Sequence, residues 1–483
     1  MNNINKTYRE VEQNAVKTSR LNACKEISEL PLMPPYSSIP NTPDLVCLSH
    51  LRWNFVYQRP QHLLSRCAKE RHVFFIEEPI FGSYPTGRLD VSKHESGVCV
   101  VVPHLPENLS EEAIVAAQQV LIDELFAQHE IRQYIFWYYT PMAMAFTRHK
   151  DPLVVVYDCM DELSAFKGAP PALRNLEAEL FSRADLVFTG GMSLYESKVS
   201  QHPDVYAFPS SIDTAHFAQA RNFTLDPADQ ADIPHPRLGF FGVIDERMDL
   251  ELLAGIAEAR PDWHLVIIGP VVKIDPAMLP RHENIHYLGG KSYQELPAYV
   301  AGWEVALLPF AINESTRFIS PTKTPEYLAA GKPVVSTSIR DVVRPYGQLS
   351  LVRIADTVAE FVAAADAAMN ENANASRWLS QVDAFLAQNS WDRTWARMIQ
   401  LVESAMSDRL VVSEAKPLAR ASLQQNSHVA TSAKATQRTR VGQTQSSSLP
   451  DATISTVKAA QKTPALQSAQ LGTGQNPGIS LLE

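Results

Sequence analysis

Short apolar runs that alternate with helical patterns constrain the fold of this 483-residue chain more than any other feature. A first series extends from the run Asp44–Leu48 to the run Leu186–Thr189, and a second from Leu238–Phe241 to Val334–Ser336. Strand-like runs that alternate with helices are typical of parallel sheets with helices on both faces. The proline-bearing segment Phe223–Pro236 separates the two series. The pattern therefore predicts an α/β protein with two doubly wound domains of similar size.

The domain boundaries follow from the same pattern and from composition. Residues 1–43 are expected to form an N-terminal tail with a Pro-rich linker. Residues 411–483 contain no Phe, Trp or Tyr and are expected to be disordered, because they cannot bury enough apolar surface to offset the entropy of ordering. Residues 44–215 and 237–410 are predicted as the two Rossmann-like domains, joined by an interdomain linker at 216–236. The last helix is expected to return to the first domain.

Charge and cysteine usage exclude several classes of protein. The net charge is −10, while residues 1–43 and 412–483 are weakly basic, so the acidic excess lies in the middle and argues against general nucleic-acid binding. Five scattered cysteines without a C-x-x-C pair predict neither a disulfide framework nor a zinc site. The N-terminus lacks the apolar stretch of a signal peptide, and no apolar run has the length of a membrane span. We therefore expect a cytoplasmic protein, with peripheral contact at the inner face of the plasma membrane left open.

The segment Ser320–Val335, SPTKTPEYLAAGKPVV, predicts a short helix with a chemical use. Thr322 is expected to be its N-cap, Lys323 its first residue and Gly331 the left-handed residue that ends it. A helix N-terminus with a lysine suits a diphosphate. Glu326, one turn later, can accept hydrogen bonds from sugar hydroxyls. On spacing alone, a helix that is merely well capped is an equal alternative.

This segment resembles the E-A-x-A-x-G-x-P-V-V half of the E-x7-E signature of retaining GT-B glycosyltransferases (group 1, family 4-like). The opening Leu51–His62, LRWNFVYQRPQH, resembles the W-x-x-x-x-Q-R-P-Q pattern of a subgroup similar to teichuronic-acid-type polysaccharide transferases. Further segments are similar to other parts of the family, in the family's order: Ala184–Leu194, Pro209–Phe217, Gly239–Leu253 and His264–Gly269. Together they span roughly residues 44–405.

The resemblance implies a GT-B fold, with two domains facing across a cleft, and a transferase reaction. A sugar would pass from a nucleotide-diphosphate sugar, UDP- or GDP-linked, to a cell-surface polysaccharide or lipid-linked acceptor with retention of configuration. The second domain would hold the donor and the first the acceptor, with no metal and no other cofactor. The residues assigned to catalysis are Arg247, Lys323 and Asp158; to donor binding, Gly242, Thr322, Thr324, Glu326 and Gly269; and to acceptor binding, His50, Arg52, Arg59 and Asp161.

Other interpretations stay open for the residues of the first domain. The residues after its first strand could pack the loop through their aromatic side chains, with Arg59 in a surface ion pair. Asp158 and Asp161 could act as an acid/base pair at a strand end, or Asp161 could cap the following helix.

Two positions depart from the family pattern. The first glutamate of E-x7-E would fall at Phe318, and Val243 follows Gly242 where the family often has arginine. These departures leave open the alternative that the chain is a degenerate transferase that acts as a binding or assembly subunit. A nucleotide-sugar epimerase or hydrolase on the same fold is the other alternative.

Overall fold

The computed structural model describes residues 42–370 and 375–409. The predicted N-terminal tail up to residue 41 and the predicted disordered C-terminal tail lie outside the described residues. The described chain forms two sheets, which we call the first and the second domain with the helices that cover them.

The sheet of the first domain has the strand order β3-β5-β2-β1-β6-β7-β8-β9, with β4 paired to β5. Its strands are β1 Asp44–Leu48, β2 Val73–Ile76, β3 Ile80–Gly82, β4 Arg88–Lys93, β5 Cys99–Pro106, β6 Tyr134–Tyr138, β7 Val154–Cys159, β8 Leu186–Thr189 and β9 Val205–Ala207. The strand pairs are parallel except β4 with β5. Apolar strands such as β6 are buried along their whole length, as expected for a sheet covered on both faces. The sequence pattern predicts neither β3 nor β4. Strand β3 has only three residues, and β4 is polar and almost entirely exposed.

The second domain has a parallel sheet with the order β12-β11-β10-β13-β14-β15. Its strands are β10 Arg237–Phe241, β11 His264–Ile268, β12 Ile285–Gly289, β13 Val305–Leu308, β14 Val334–Ser336 and β15 Arg353–Ile354. This is the 3-2-1-4-5-6 order of a doubly wound domain, in which ligands bind at the carboxyl ends of the strands where the order reverses. The reversal lies between β10 and β13 here, and between β1 and β6 in the first domain.

The helices connect the strands and cover both sheets. They are α1 Arg59–Cys67, α2 Glu111–Gln128, α3 Met144–Thr147, α4 Leu173–Arg183, α5 Met192–Lys198, α6 Thr214–Ala218, α7 Leu250–Ala259, α8 Leu296–Ala301, α9 Lys323–Ala329, α10 Arg340–Val342, α11 Val358–Asn370, α12 Ala375–Leu386 and α13, residues 391–409. Ser110 caps α2, because its hydroxyl accepts a hydrogen bond from the Ala113 amide at 3.2 Å. No helix in the described ranges combines the length and the apolar character that a membrane span requires.

The chain crosses between the two domains twice, after β9 and before α13. The hydroxyl of Ser211, just after β9, is hydrogen bonded at 2.5 Å to that of Thr394 in the first turn of α13. Helix α13 then packs on the first sheet, where Trp391 and Trp395 are buried in the same apolar core as Trp137 of β6. These contacts fasten the C-terminal helix to the first domain.

Candidate functional site

Helix α9 forms at the carboxyl end of the second sheet with nearly the bounds that the sequence predicts. It begins at Lys323, and Gly331 follows it with a φ of +76°. Thr322 stands at the N-cap position, but its backbone is helical and its side chain makes no capping hydrogen bond, so the predicted cap is wrong in its chemistry. The hydroxyl of Thr324 is buried and has no hydrogen-bond partner in the described chain.

Two glycines make room for the lysine of this helix. A Cβ on Gly242, which directly follows β10 with a φ of +140°, would lie 2.0 Å from the Cε of Lys323 and 2.6 Å from its Nζ. A Cβ on Gly269, which follows β11, would lie 1.8 Å from the carbonyl oxygen of Gly242. Only residues without a side chain allow this close approach. The structure therefore brings Gly242, Gly269 and Lys323 together at the ends of two adjacent strands.

Arg247 lies in the loop between β10 and α7 and pairs with Asp245. Its Nε lies 3.0 and 2.9 Å from the two carboxylate oxygens of Asp245. The Asp245 side chain is 4% exposed and that of Arg247 is 25% exposed. The carboxylate is thus buried beneath the guanidinium, which keeps an accessible part of its surface for a ligand.

The charges of Lys323, Glu326, Arg247, Asp245 and Asp161 act on one another. Burial lowers the pKa of Lys323, while the charge of Glu326 opposes this shift. Burial raises the pKa of Glu326 to about 8, against the charge of Lys323. Burial also raises the pKa of Asp161 to about 6, with Arg247 lowering it and Asp245 raising it. Because Asp161 follows β7 of the first domain, this charge cluster is built from both domains.

Lys273, which the sequence interpretation missed, joins this cluster. It lies in the loop after β11 with a φ of +61°, a conformation that costs energy in a residue with a side chain. Its Nζ lies 5.6 Å from the ring centre of Phe166, and the Cζ of Arg247 lies 5.5 Å from the same ring. Phe166 of the first domain thus contacts two cations of the second. The position of Lys273 after the carboxyl end of β11 is the sequence signal that could have identified this residue.

Arg59 and Asp158, predicted to bind the acceptor and to act in catalysis, form a buried ion pair with each other. The side chains are 2% and 0% exposed, so the alternative of a surface ion pair is wrong, while the predicted ligand roles of both residues stay predictions. The Nε and Nη2 of Arg59 lie 3.0 and 2.8 Å from the Oδ1 of Asp158. Trp137 Nε1 donates to the other carboxylate oxygen at 3.3 Å, and Arg59 Nη1 donates to the Phe208 carbonyl at 2.7 Å. The pair fastens α1 to the end of β7 and to the first domain crossing.

His50, Arg52 and Asp161, the other residues predicted to bind the acceptor, lie in different surroundings. His50 is buried, and its Nδ1 has no hydrogen-bond partner among the described residues. Burial, together with the charge of Lys273, lowers the pKa of His50 to about 3. Arg52 is committed to the end of β2, where its Nη1 lies 3.0 Å from Glu77 Oε2 and donates to the Glu78 carbonyl at 2.6 Å. Since Glu162 is the N-cap of the next helical turn, Asp161 does not cap it.

The two domains also meet beside the loop that leads into α9. The carboxylate of Asp341 accepts a hydrogen bond from the Ser193 amide at 3.0 Å. A Cβ on Gly191 would lie 2.3 Å from Asp341 Oδ2 and 2.8 Å from Ser320 Cβ. The glycine therefore allows the first domain to contact the segment that carries Lys323.

Residues 235–371 match the family model described as Glycosyl transferases group 1. This range contains Arg247, Lys323 and Glu326. The putative teichuronic acid biosynthesis glycosyltransferase TuaH of Bacillus subtilis (strain 168) is 30% identical over 105 residues, which are 21% of this chain and 26% of TuaH. The chain thus matches about a quarter of the length of this curated relative. Residues 235–371 form a glycosyltransferase group 1 domain.

Solved structures of similar fold cover most of the chain. Sucrose-phosphate synthase (tll1590) from Thermosynechococcus elongatus has a TM-score of 0.55 at 13% identity, over 76% of this chain and all of that one. Alr3699/HepE of Anabaena, in complex with UDP and glucose, has a TM-score of 0.54 at 11% identity, over 75% and 99%. A UDP-forming trehalose-phosphate synthase from Burkholderia vietnamiensis has a TM-score of 0.56 at 11% identity, over 75% and 100%. At such identities the likeness shows the fold, and the predicted GT-B architecture is confirmed.

Proposed function

We propose that this chain, with a group 1 domain inside a GT-B fold, is a glycosyltransferase. It would move a sugar from a nucleotide-diphosphate sugar to a glycan or lipid-linked acceptor. The donor would bind to the second domain, and the acceptor would enter from the first.

The cluster formed by Lys323, Arg247 and Glu326 carries this proposal. Cleavage of the donor places negative charge on the leaving diphosphate, and fixed cations in a water-poor cleft stabilise such charge most effectively. Lys323 and the accessible part of Arg247 are these cations at the ends of β10 and β13. Glu326 lies one turn into α9, where its carboxyl group can bond the hydroxyls of the nucleoside. Thr322 and Thr324 would contribute their amides to the diphosphate.

The finer assignments belong to the same proposal. The acceptor would be a cell-surface polysaccharide or its lipid-linked precursor, supported by the name of the TuaH protein that this chain resembles. The donor would carry UDP or GDP, and the UDP in the HepE complex supports the first. Lys323 and Arg247 would supply the positive charge that other transferases obtain from a metal ion. Transfer would retain the anomeric configuration and occur in the cytoplasm, at the inner face of the plasma membrane.

A thermal-shift screen of the purified protein tests the donor site. UDP, GDP, ADP and TDP are added first without metal and then with magnesium. We expect one nucleotide to raise the melting temperature without metal, because it binds the folded state alone. A complete absence of shifts would contradict the proposed donor site.

Turnover assays with the matching nucleotide sugars then separate the transferase from its alternatives. Transfer requires an acceptor extract, and the product should keep the anomeric configuration of the donor. Release of nucleotide without an acceptor would indicate a hydrolase or epimerase instead. Binding without turnover in any extract would indicate a degenerate subunit.

A further inference from the structure

Tyr293, which has no role in the proposed reaction so far, is fixed at the junction of the two domains. Its ring stacks on Tyr57 of the first domain with 4.6 Å between ring centres, and on His216 of α6 with 4.2 Å. The rings of His62 and Phe217 meet its edge, each at 5.6 Å. Its backbone carbonyl and the Nε2 of His216 are 2.9 Å apart and hydrogen bonded. A ring held on both faces and at its edge has little freedom to move its hydroxyl.

The hydroxyl of this fixed ring is buried and has no hydrogen-bond partner within residues 42–370 and 375–409. Burial raises the pKa of Tyr293, and the charge of Glu326 raises it more than those of Asp213 and Tyr57 do. The phenol therefore lies within electrostatic reach of Glu326 without bonding it. A buried donor that is left unbonded destabilises the free protein, so its retention needs an explanation.

Glu326 is the second half of this arrangement. Its side chain is buried one turn into α9, and the charge that favours its ionised form is that of Lys323. The phenol of Tyr293 and the carboxyl group of Glu326 thus lie within electrostatic reach of each other. A hydroxyl group both donates and accepts, so a single ligand hydroxyl could accept from the phenol and donate to the carboxylate.

We propose that Tyr293 is a further ligand-binding residue, whose hydroxyl donates a hydrogen bond to a sugar hydroxyl that Glu326 also bonds. The inference rests on the proposed function, within which this group is a ribose hydroxyl of the nucleoside diphosphate. The stack on Tyr57 and His216 pre-organises the donor before the ligand arrives. Tyr293 would thereby make the site selective for ribonucleotides over deoxyribonucleotides.

The variant Tyr293→Phe tests this role, because it keeps the ring and its stacking contacts and removes only the hydroxyl. Calorimetric titrations compare UDP, GDP and ADP with their 2′-deoxy and 3′-deoxy forms. We expect the wild type to prefer the ribonucleotide that it binds over one deoxy form by more than roughly tenfold, because that form lacks the hydroxyl that bonds both Tyr293 and Glu326. In the variant this preference should fall by roughly tenfold, the effect of one hydrogen bond, because ribonucleotide binding alone weakens while Glu326 still bonds the hydroxyl. Its melting temperature without ligand should not fall, because an unbonded buried group has been removed.

Tyr287→Phe is the matched control, since the Tyr287 hydroxyl donates to the Pro280 carbonyl at 3.1 Å. This control should keep the preference of the wild type. A Tyr293→Phe variant whose preference is as large as that of the wild type overturns the inference and leaves the proposed function standing. A fall of several degrees in its melting temperature would overturn the inference too, because the hydroxyl would then have a structural partner. If the wild type binds none of the nucleotides, the proposed function fails and the inference fails with it.

Discussion

Each domain carries an arginine–aspartate pair at the carboxyl end of its sheet, and the two pairs differ in burial and in role. Arg59 and Asp158 are 99 residues apart in sequence and are both almost completely buried. Arg247 and Asp245 are two residues apart, and the arginine keeps a quarter of its side-chain surface exposed. The first pair joins distant segments, so it stabilises the fold. The second joins nothing distant and leaves a guanidinium available to a ligand.

The comparison shows why residue type and strand end do not identify a binding residue. All four residues occupy positions from which parallel sheets bind ligands. The two pairs differ in how many hydrogen bonds the arginine and the aspartate make and in how much of the arginine side chain is exposed to water. Asp158 also receives a hydrogen bond from Trp137, and Arg59 also donates to Phe208. The Arg59–Asp158 pair thus makes these hydrogen bonds within the first domain.

The largest effect is expected when the buried pair is broken. Asp158→Asn leaves the charge of Arg59 buried without its counter-ion and should cost about 3–5 kcal/mol of unfolding free energy. The control Asp392→Asn breaks the pair with Arg66, in which the aspartate side chain is 78% exposed, and should cost at most about 1 kcal/mol. Urea unfolding of both variants measures the difference. Equal and small losses would show that the Arg59–Asp158 pair does not stabilise the fold as described.

The second prediction concerns Lys323, the lysine that we propose to bind the diphosphate. Lys323→Ala should weaken the binding of nucleoside diphosphates by about ten- to a hundredfold, the effect of losing a charged hydrogen bond. The melting temperature should barely change, since burial disfavours the lysine charge in the free protein. Lys291→Ala is the control, because Lys291 pairs with Asp229 at 2.5 Å and should not affect binding. A Lys323→Ala protein with a much lower melting temperature, whose folded fraction binds nucleotide as tightly as the wild type, would show that Lys323 is a structural residue and not a binding residue.

The sequence predicts the elements of this fold better than the roles of its side chains. Uninterrupted apolar runs mark the buried strands, and the N-terminal lysine and terminal glycine of α9 stand where the pattern puts them. The polar, exposed strand Arg88–Lys93 carries no such signal. The burial of Asp158 depends on Arg59, 99 residues away, and the stack on Tyr293 depends on Tyr57 and His216. Contacts between segments so far apart leave no local pattern in the sequence.

The third prediction uses pH to detect the buried carboxyl group in the second domain. Glu326 titrates near 4.5 in the unfolded chain and near 8 in the folded protein, because burial raises its pKa. Between these values the folded state binds the extra proton, so stability should fall as pH rises, by at most about 1.4 kcal/mol per pH unit. Glu326→Gln removes this proton and should gain stability relative to the wild type between about pH 5.5 and 7.5. Melting curves of the two proteins that stay parallel over this range would contradict the raised pKa.

The smallest effect distinguishes two helix starts, one in each domain. The Ser110 hydroxyl accepts from the Ala113 amide, so Ser110→Ala should cost about 1 kcal/mol. Thr322 makes no such bond, so Thr322→Ala should change the stability of the free protein by less than about 0.5 kcal/mol. If the amides at the start of α9 bind the diphosphate, the stabilisation by nucleotide should also survive in Thr322→Ala. Differential scanning calorimetry with and without nucleotide measures both quantities. A loss in Thr322→Ala as large as in Ser110→Ala would show that this threonine caps α9 after all, and that the start of the helix is scaffold like its counterpart in the first domain.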